Sequence, residues 1–580
     1  MTSHLLNPLA FPLHGSRLIE ASAGTGKTWT IAALYVRLVL GHGDDDSRFT
    51  RPLLPADILV MTFTRAATRE LSNRVRERLI EAAAYFRNEF RQESGGSDPF
   101  LDALLVSYPD ESERQKAAHR LMLAAETMDE AAIFTIDAWC QRMLREHAFD
   151  SGSLFDEELV SDEQALFEDA AHDYWRQQVY PLPPQALDVL LACWPDVGAL
   201  KKGARELARR ADIMGMAHEE PLSALIAREQ RALAAQLANL KAGWVERTEQ
   251  MAAWINDHRA ANPKCFNGVK MKPDNLAKWF DGLRKWAQDP LLLLPAITAK
   301  AWERLTPFGI EDAFAKSFTA QVPECFEHTE ALGIALAGIT PLGHTLHLHA
   351  AAAIARRMDQ LKRQSRQFGF ADMLQRLHDA LAGENGAALR QRIVDQYPLA
   401  MVDEFQDTAP AQYQIFNLLY RIADNDPAQG LFLIGDPKQS IYGFRGADIQ
   451  SYLAARRATA GRHYQLGTNY RSTAPLVAAV NQLFLHAERA EVPAGAFRYR
   501  KGDENPLPFE AVDAKGRSEH LVNAGGPLPA LLAACASDAG LRGDSYREYF
   551  AQHCAEHIVA MLGDTQAGFD GPDGFTRLQP

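Results

Sequence analysis

Two short stretches, far apart in the chain, carry residue types that together could transfer a phosphoryl group. The first is ASAGTGKT, Ala21–Thr28. It matches the phosphate-binding loop pattern except at its first position, where Ala21 stands in place of glycine. Ala21, Ser22, Ala23, Gly24, Thr25 and Gly26 form the cradle. The glycines let the backbone turn its N–H groups toward phosphate oxygens, and the following helix adds its positive N-terminal end. Lys27 is placed for the β- and γ-phosphates and Thr28 for Mg²⁺. The plain alternative is a glycine-rich strand-to-helix turn. The order strand, loop, GKT, helix favours the phosphate reading.

The second stretch is LAMVDEFQDTAPAQYQIF, Leu399–Phe416, with Asp403, Glu404 and Asp407 at the end of an apolar run. Asp403 can hold Mg²⁺, and Glu404 can orient or deprotonate an attacking water. The alternative is an acidic turn that caps a helix, a role expected of Asp407 and Thr408. A phosphate loop needs an acidic partner, which favours the catalytic reading for Asp403 and Glu404.

These residues need a scaffold. Apolar runs at RLIE (17–20), DILVMTF (57–63), EAAIFTID (130–137), YPLAMVDEF (397–405), GLFLIGD (430–436) and HYQLGTN (463–469) read as buried strands. TIAALYVRLVL, TRAATRELSNRVRERLIEAAAYF and AWCQRMLREHAF have helical spacing. The expectation is an α/β fold whose strands and helices alternate as in a parallel sheet. From about Asp150 to Arg366 helical periodicity dominates, so a mostly helical insertion is expected. There NPKCFNGVKMKPDNLAKWFDGLRKW (262–286) mixes lysine with aromatics and could contact duplex DNA. Its Trp279, Leu283 and Trp286 have the spacing of a packed helix face, which is the favoured reading for them. GDTQAGFDGPDG, beginning at Gly563, reads as a linker or loop.

The 580 residues exceed what one core supports. A net charge of −13 does not exclude nucleic acid, because a local basic groove suffices. Six cysteines without CxxC spacing argue against a zinc site and for a reducing compartment. The N-terminus has no basic segment ahead of an apolar run, and LLLLPAI (291–297) is too short to span a bilayer. A cytoplasmic protein with no membrane association is expected.

Taken together, VDEFQDT, GDPKQSIYGFRGADI (435–449), LGTNYRST (466–473), TFTRAATREL (62–71), FTIDAWCQRMLREH (134–147) and FGFADMLQRLHDAL (368–381) resemble the superfamily 1 helicases of the UvrD/Rep type. The N-terminal FPLHGSRLIEASAGTGKTWT and FTIDAWCQRML resemble the RecB family, the exodeoxyribonuclease V beta subunits. The resemblance implies a RecA-like P-loop motor domain over 1–150 and 365–465. It implies a helical inserted domain over 151–364 and the start of a second RecA-like domain over 466–580. It implies ATP and Mg²⁺ as cofactors, with Thr28 and Asp403 on the metal, Glu404 as catalytic base and Gln439 as γ-phosphate sensor. Arg471 becomes an arginine finger and Tyr470 stacks near the adenine. Trp29 occupies a position that is often Arg in the relatives, and FPLHG supplies no adenine-reading Gln.

On the nucleic-acid side the resemblance places Thr62, Phe63, Thr64 and Arg65 on single-stranded DNA, and Tyr442, Phe444 and Arg445 beside them. Core packing is the alternative for Phe63 and Tyr442. Asp137 stands where His is familiar, and an acid repels phosphate. The resemblance further implies 3′→5′ movement from duplex ends, double-strand break repair and RecC- and RecD-type subunits in a heterotrimer. Later helicase motifs and a nuclease cluster are not found, so an N-terminal fragment of a longer helicase–nuclease is expected. The alternatives are a stand-alone UvrD-like or AddA-type repair helicase, or a DNA-binding scaffold with an incomplete motor.

Overall fold

The computed structural model describes residues 3–88, 98–148, 158–160, 162–211, 220–316, 318–339, 341–441, 448–490, 494–536, 542–572 and 574–580. The chain divides into two compact units, Met1–Asp156 with Phe370–Pro580, and Glu157–Gly369.

The first unit is built on a seven-stranded sheet. Its strands are β1 (His4–Leu5), β2 (Gly15–Glu20), β3 (Ile58–Thr62), β4 (Ile133–Thr135), β5 (Leu399–Val402), β6 (Gly430–Gly435) and β7 (His463–Gln465). They lie in the order β1-β7-β2-β6-β5-β3-β4, and every pairing is parallel. Parallel strands are covered on both faces, which is why ILVM, LAMV and LFLI are uninterrupted apolar runs. Helices α1 (Lys27–Leu40), α2 (Arg65–Phe86), α3 (Pro99–Val106) and α4 (Glu111–Glu126) supply Leu34, Val36, Val75, Leu79, Leu101 and Leu121 to a core shared with Val60, Met401 and Phe432. Helices α5 (Ile136–Glu146), α6 (Phe370–Ala382), α7 (Gly386–Gln396), α8 (Pro410–Tyr420) and α9 (Ile449–Ala458) complete the layer set. Arg37, fully buried on α1, donates to the carbonyls of Pro8 at 2.7 Å and Phe11 at 2.8 Å, so the N-terminal segment is tied to α1.

Three sequence expectations change. HYQLGTN is not one strand: β7 ends at Gln465, and β8 (Thr468–Asn469) leaves the sheet to pair in parallel with β9 (Asp513–Ala514). Asp407 and Thr408 do not cap the helix after them. Pro410 opens α8, and the Gln412 side chain accepts from the Ala409 N–H at 2.9 Å. The glycine-rich segment at 563–573 is not merely a linker: Gly568–Gly571 pairs antiparallel with Gly574–Arg577 and with His520–Asn523.

The second unit is helical; among its described residues β pairing is confined to Glu158–Leu159 with Gln367–Phe368 and a single antiparallel bridge between Phe266 and Phe314. Trp279, Leu283 and Trp286 are buried with Trp244, Met251 and Phe326, so the packed-helix reading holds. Lys278, Arg284 and Lys285 on the same helix, Pro273–Gln288, and Lys272 at its N-cap are exposed. The stretch Glu324–Ser365 is long and apolar enough to cross a membrane by length and composition. Its second helix, Leu342–Ser365, nevertheless packs Leu346, Ala350, Ala351 and Ile354 into the unit's core with Leu190, Trp194 and Leu200.

Candidate nucleotide site

The sheet register brings Glu20, Thr62, Val402 and Gly435 to one edge. Glu20 lies opposite Gly435, Val402 opposite Leu433 and Met61, and Thr62 opposite Thr135. Loops leaving carboxyl ends of parallel strands form the ligand crevice of such folds. The phosphate loop leaves β2 there. Glu20 accepts from Tyr452 Oη at 2.7 Å and pairs with Arg456, so α9 holds the base of the loop. Ala21 is buried and its N–H donates to the Gly435 carbonyl at 3.0 Å. Its φ is not positive, so the methyl group is accommodated where the pattern has glycine. Gly24 and Gly26 have φ of 78° and 88°, the region a Cβ disfavours. The Thr25 hydroxyl donates to the Ser22 carbonyl at 2.7 Å, closing the loop on itself. Thr28 sits half-buried in the first turn of α1.

The acidic loop leaves β5 beside it. The Asp403 N–H donates to the Met61 carbonyl at 2.8 Å, and the Glu404 N–H to Asp403 Oδ1 at 3.0 Å. Glu404 has a φ of 54°, a left-handed backbone that costs a non-glycine residue about 1–2 kcal/mol. That turn directs its carboxylate at the phosphate loop: Glu404 Oε2 lies 2.6 Å from Lys27 Nζ, and Asp403 Oδ1 lies 4.0 Å from it. Burial pushes the Asp403 carboxyl up to about 6; the Lys27 charge opposes this and the Glu404 charge adds to it. Gln406 donates to Glu404 Oε2 at 2.8 Å and accepts from the Asp436 N–H at 2.9 Å. Asp436 Oδ2 in turn accepts from Gln439 Nε2 at 2.8 Å.

Among the described residues no group of three or more His, Cys, Asp or Glu could hold a metal unaided. Mg²⁺ is commonly bound by one or two carboxylates together with substrate phosphates. The half-buried Asp403 carboxylate, 4.0 Å from Lys27 Nζ, and the Thr28 hydroxyl in the first turn of α1 are donor types that fit that set.

The third element follows β7. Asn469 donates from Nδ2 to the Ala23 carbonyl at 2.9 Å, and its Oδ1 accepts from the Arg471 and Ser472 N–H groups at 2.9 Å each. The Tyr470 N–H donates to the Gly24 carbonyl at 2.8 Å. Arg471 is thereby seated against the phosphate loop; a Cβ on Gly24 would lie 2.6 Å from Arg471 Cβ. Tyr470 is 56% exposed and Trp29 44%. Trp29 meets Phe100 edge-on at 5.6 Å, and the Arg78 guanidinium lies 5.4 Å from its centroid.

A model of the UvrD/REP helicase N-terminal domain matches residues 1–460. The chain belongs to the UvrD/REP helicase family. Membership of a helicase family carries ATP use with it. The chain is also 37% identical to RecBCD enzyme subunit RecB of Escherichia coli (strain K12) over 97% of its length and 45% of the relative's. It is 34% identical to the Haemophilus influenzae RecB over 99% of its length and 47% of the relative's. It is thus a RecB homologue over nearly its whole length and spans about half the length of these curated relatives.

In this helicase chain the residues expected on DNA are not equivalent. Thr62 is 1% exposed, and its hydroxyl lies 2.6 Å from Thr68 Oγ1 and donates to the Thr64 carbonyl. Phe63 is half-buried, and Thr64 and Arg65 are exposed at the start of α2, where Thr64 Oγ1 accepts from the Ala67 N–H. Tyr442, Phe444 and Arg445 lie outside the described residues. Asp137 is bonded to the Gln412 side chain, and burial pushes its carboxyl up. Sequence reasoning did not single out Asn469, Gln406 or Asp436. Their signal was present in the NYRS, DEFQD and GDPKQ runs, but their roles depend on contacts between segments.

Proposed function

We propose that the chain is the ATP-driven motor portion of a RecB-type DNA translocase. The observation that carries this is the meeting of Lys27, Asp403 and Glu404 at one sheet edge, with the Asn469–Arg471 turn bonded to the same phosphate loop. Lys27 binds the β- and γ-phosphates. Thr28 and Asp403 hold Mg²⁺, which screens phosphate charge when bound. Glu404, once released from Lys27 by the incoming phosphates, takes the proton of the attacking water. Gln439 senses the γ-phosphate, and Arg471 stabilises charge developing on the transferred group. Tyr470 and Trp29 lie along the base.

Residues 1–150 and 365–465 then form a first RecA-like motor domain and 151–364 the inserted domain. Residues 466–580 begin a second motor domain, whose departure from the sheet at β8 supports the boundary. Thr64 and Arg65 contact the DNA backbone, with Phe63 packed beneath them and Thr62 bracing the turn. Contact with single-stranded DNA is assigned also to Tyr442, Phe444 and Arg445, on the family resemblance. Movement is 3′→5′, as an intracellular subunit acting on duplex ends in double-strand break repair. The relatives are named as subunits of a RecBCD enzyme, so RecC- and RecD-type partners and a nuclease activity belong to the whole assembly. Equilibrium titration with a fluorescent ATP analogue and Mg²⁺ tests the reading. Saturable binding that weakens at least about tenfold in Lys27→Ala is expected; no binding, or equal binding by the variant, overturns it.

A further inference from the structure

Gln406 is 2% exposed and joins three segments of the site. The Asp436 backbone N–H can only donate, so Gln406 Oε1 must face it, as it does at 2.9 Å. The carboxamide NH₂ is thereby turned toward carboxylates. It donates to Glu404 Oε2 at 2.8 Å and lies 3.5 Å from Asp407 Oδ2. The Gln406 carbonyl accepts from Ser440 Oγ at 3.3 Å. On the far side, Asp436 accepts from Gln439 Nε2 at 2.8 Å and pairs with Lys438 Nζ at 2.9 Å. The approach to β6 is close enough to exclude a side chain there: a Cβ on Gly435 would lie 2.5 Å from Gln406 Oε1. An unbroken polar line therefore runs from Lys27 through Glu404, Gln406 and Asp436 to Gln439.

Resting on the nucleotide reading above, we propose that Gln406 is a positioning residue that orients the Glu404 carboxylate and couples it to the loop at 436–441. Phosphate oxygens compete with Glu404 for the Lys27 ammonium, so the 2.6 Å ion pair opens when nucleotide enters. Glu404 then keeps Gln406 as its donor. A neutral amide fixes the carboxylate without the strong loss of basicity that a cation imposes. Because the other end of the same amide holds the Asp436 backbone, a shift of Glu404 is passed to the residues that carry Gln439.

The test uses Gln406→Met, of similar length but with neither donor nor acceptor. The expected result is a fall in kcat of about 10²-fold with KM within about threefold of wild type. Nucleotide-induced hydrogen-exchange protection at 436–441 should be lost. In a Glu404→Gln background the same substitution should slow turnover by less than it does in wild type, because part of its effect passes through Glu404. Gln406→Glu keeps an acceptor for Asp436 and gives the same kcat loss where the methionine variant does not fold. Wild-type kcat, a fully additive effect in the double variant, or an unchanged exchange response overturns the coupling while the nucleotide reading stands. Equal nucleotide binding by wild type and Lys27→Ala instead removes that reading, and this inference with it.

Discussion

The phosphate loop and the acidic loop face each other across one sheet edge but are held by different means. The first is shaped by backbone: two glycines at positive φ, one internal hydroxyl bond and contacts to the carbonyls of Ala23 and Gly24. The second is shaped by side chains: Glu404 on a left-handed turn, with Gln406 and Asp436 behind it. A backbone-built loop presents the same groups whatever is bound. A side-chain network can be rearranged by a competitor for one of its members. The Lys27–Glu404 ion pair is where the two meet, so it is the point at which nucleotide can change the second loop while leaving the first in place.

Glycine substitution breaks the first loop hardest. Gly24→Ala combines a φ of 78° with a methyl group 2.6 Å from Arg471 Cβ, whereas a Cβ on Gly26 meets nothing within 4 Å. Gly24→Ala should therefore weaken nucleotide binding about 10²-fold or more, by displacing a phosphate-binding backbone. Gly26→Ala should show only the strain of its φ, on the order of 1–2 kcal/mol. Equal losses in a nucleotide titration would mean that the Arg471 contact does not matter to the loop.

The second loop should respond to pH. Burial raises the Asp403 carboxyl from 3.8 to about 6, so the folded state holds that proton more tightly than the unfolded chain. Relative to the ionised group, the bound proton contributes up to about 3 kcal/mol of stability, fully present below pH 4 and lost as pH rises through about 6. Asp403→Asn should thus melt at a higher temperature than wild type at pH 7.5 in metal-free buffer, with the difference gone at pH 4. The same variant should lose hydrolysis. A melting temperature that is lower at both pH values would show that Asp403 is stabilised as a carboxylate. The smallest effect is expected at Trp29, whose ring is partly exposed beside GKT. Trp29→Ala should weaken nucleotide binding about three- to tenfold and leave the melting temperature nearly unchanged.

Much of this was legible in the sequence. Strands β2, β3, β5 and β6 announce themselves because parallel strands buried on both faces need unbroken apolar runs. The catalytic-type residues follow them at once, so the loops were placed with the strands. What could not be read depends on tertiary partners. HYQLGTN is continuous in composition, yet it splits because Asn469 is drawn to Ala23 and the chain turns toward Asp513. Glycine and aspartate at 563–573 suit a linker and a hairpin equally well. Asp407 and Thr408 look like caps, but the N-cap position falls to Ala409, whose N–H donates to the Gln412 side chain. Thr62 has the polarity of a ligand-facing residue, while the register buries its hydroxyl against Thr68. Gln406 has no spacing signal, since the partner that fixes its orientation, the Asp436 N–H, lies 30 residues further along the chain.

Lys27 and Glu404 face one another, and DNA-dependent ATP hydrolysis is the use proposed for that pairing. Its most direct test is ATP turnover by the chain with and without single-stranded DNA, in wild type and in Glu404→Gln. DNA-stimulated turnover is expected in wild type, falling at least about 10²-fold in the variant, with nucleotide still bound. Wild-type turnover by Glu404→Gln, or its loss together with nucleotide binding, would contradict the assignment of Glu404 as the base.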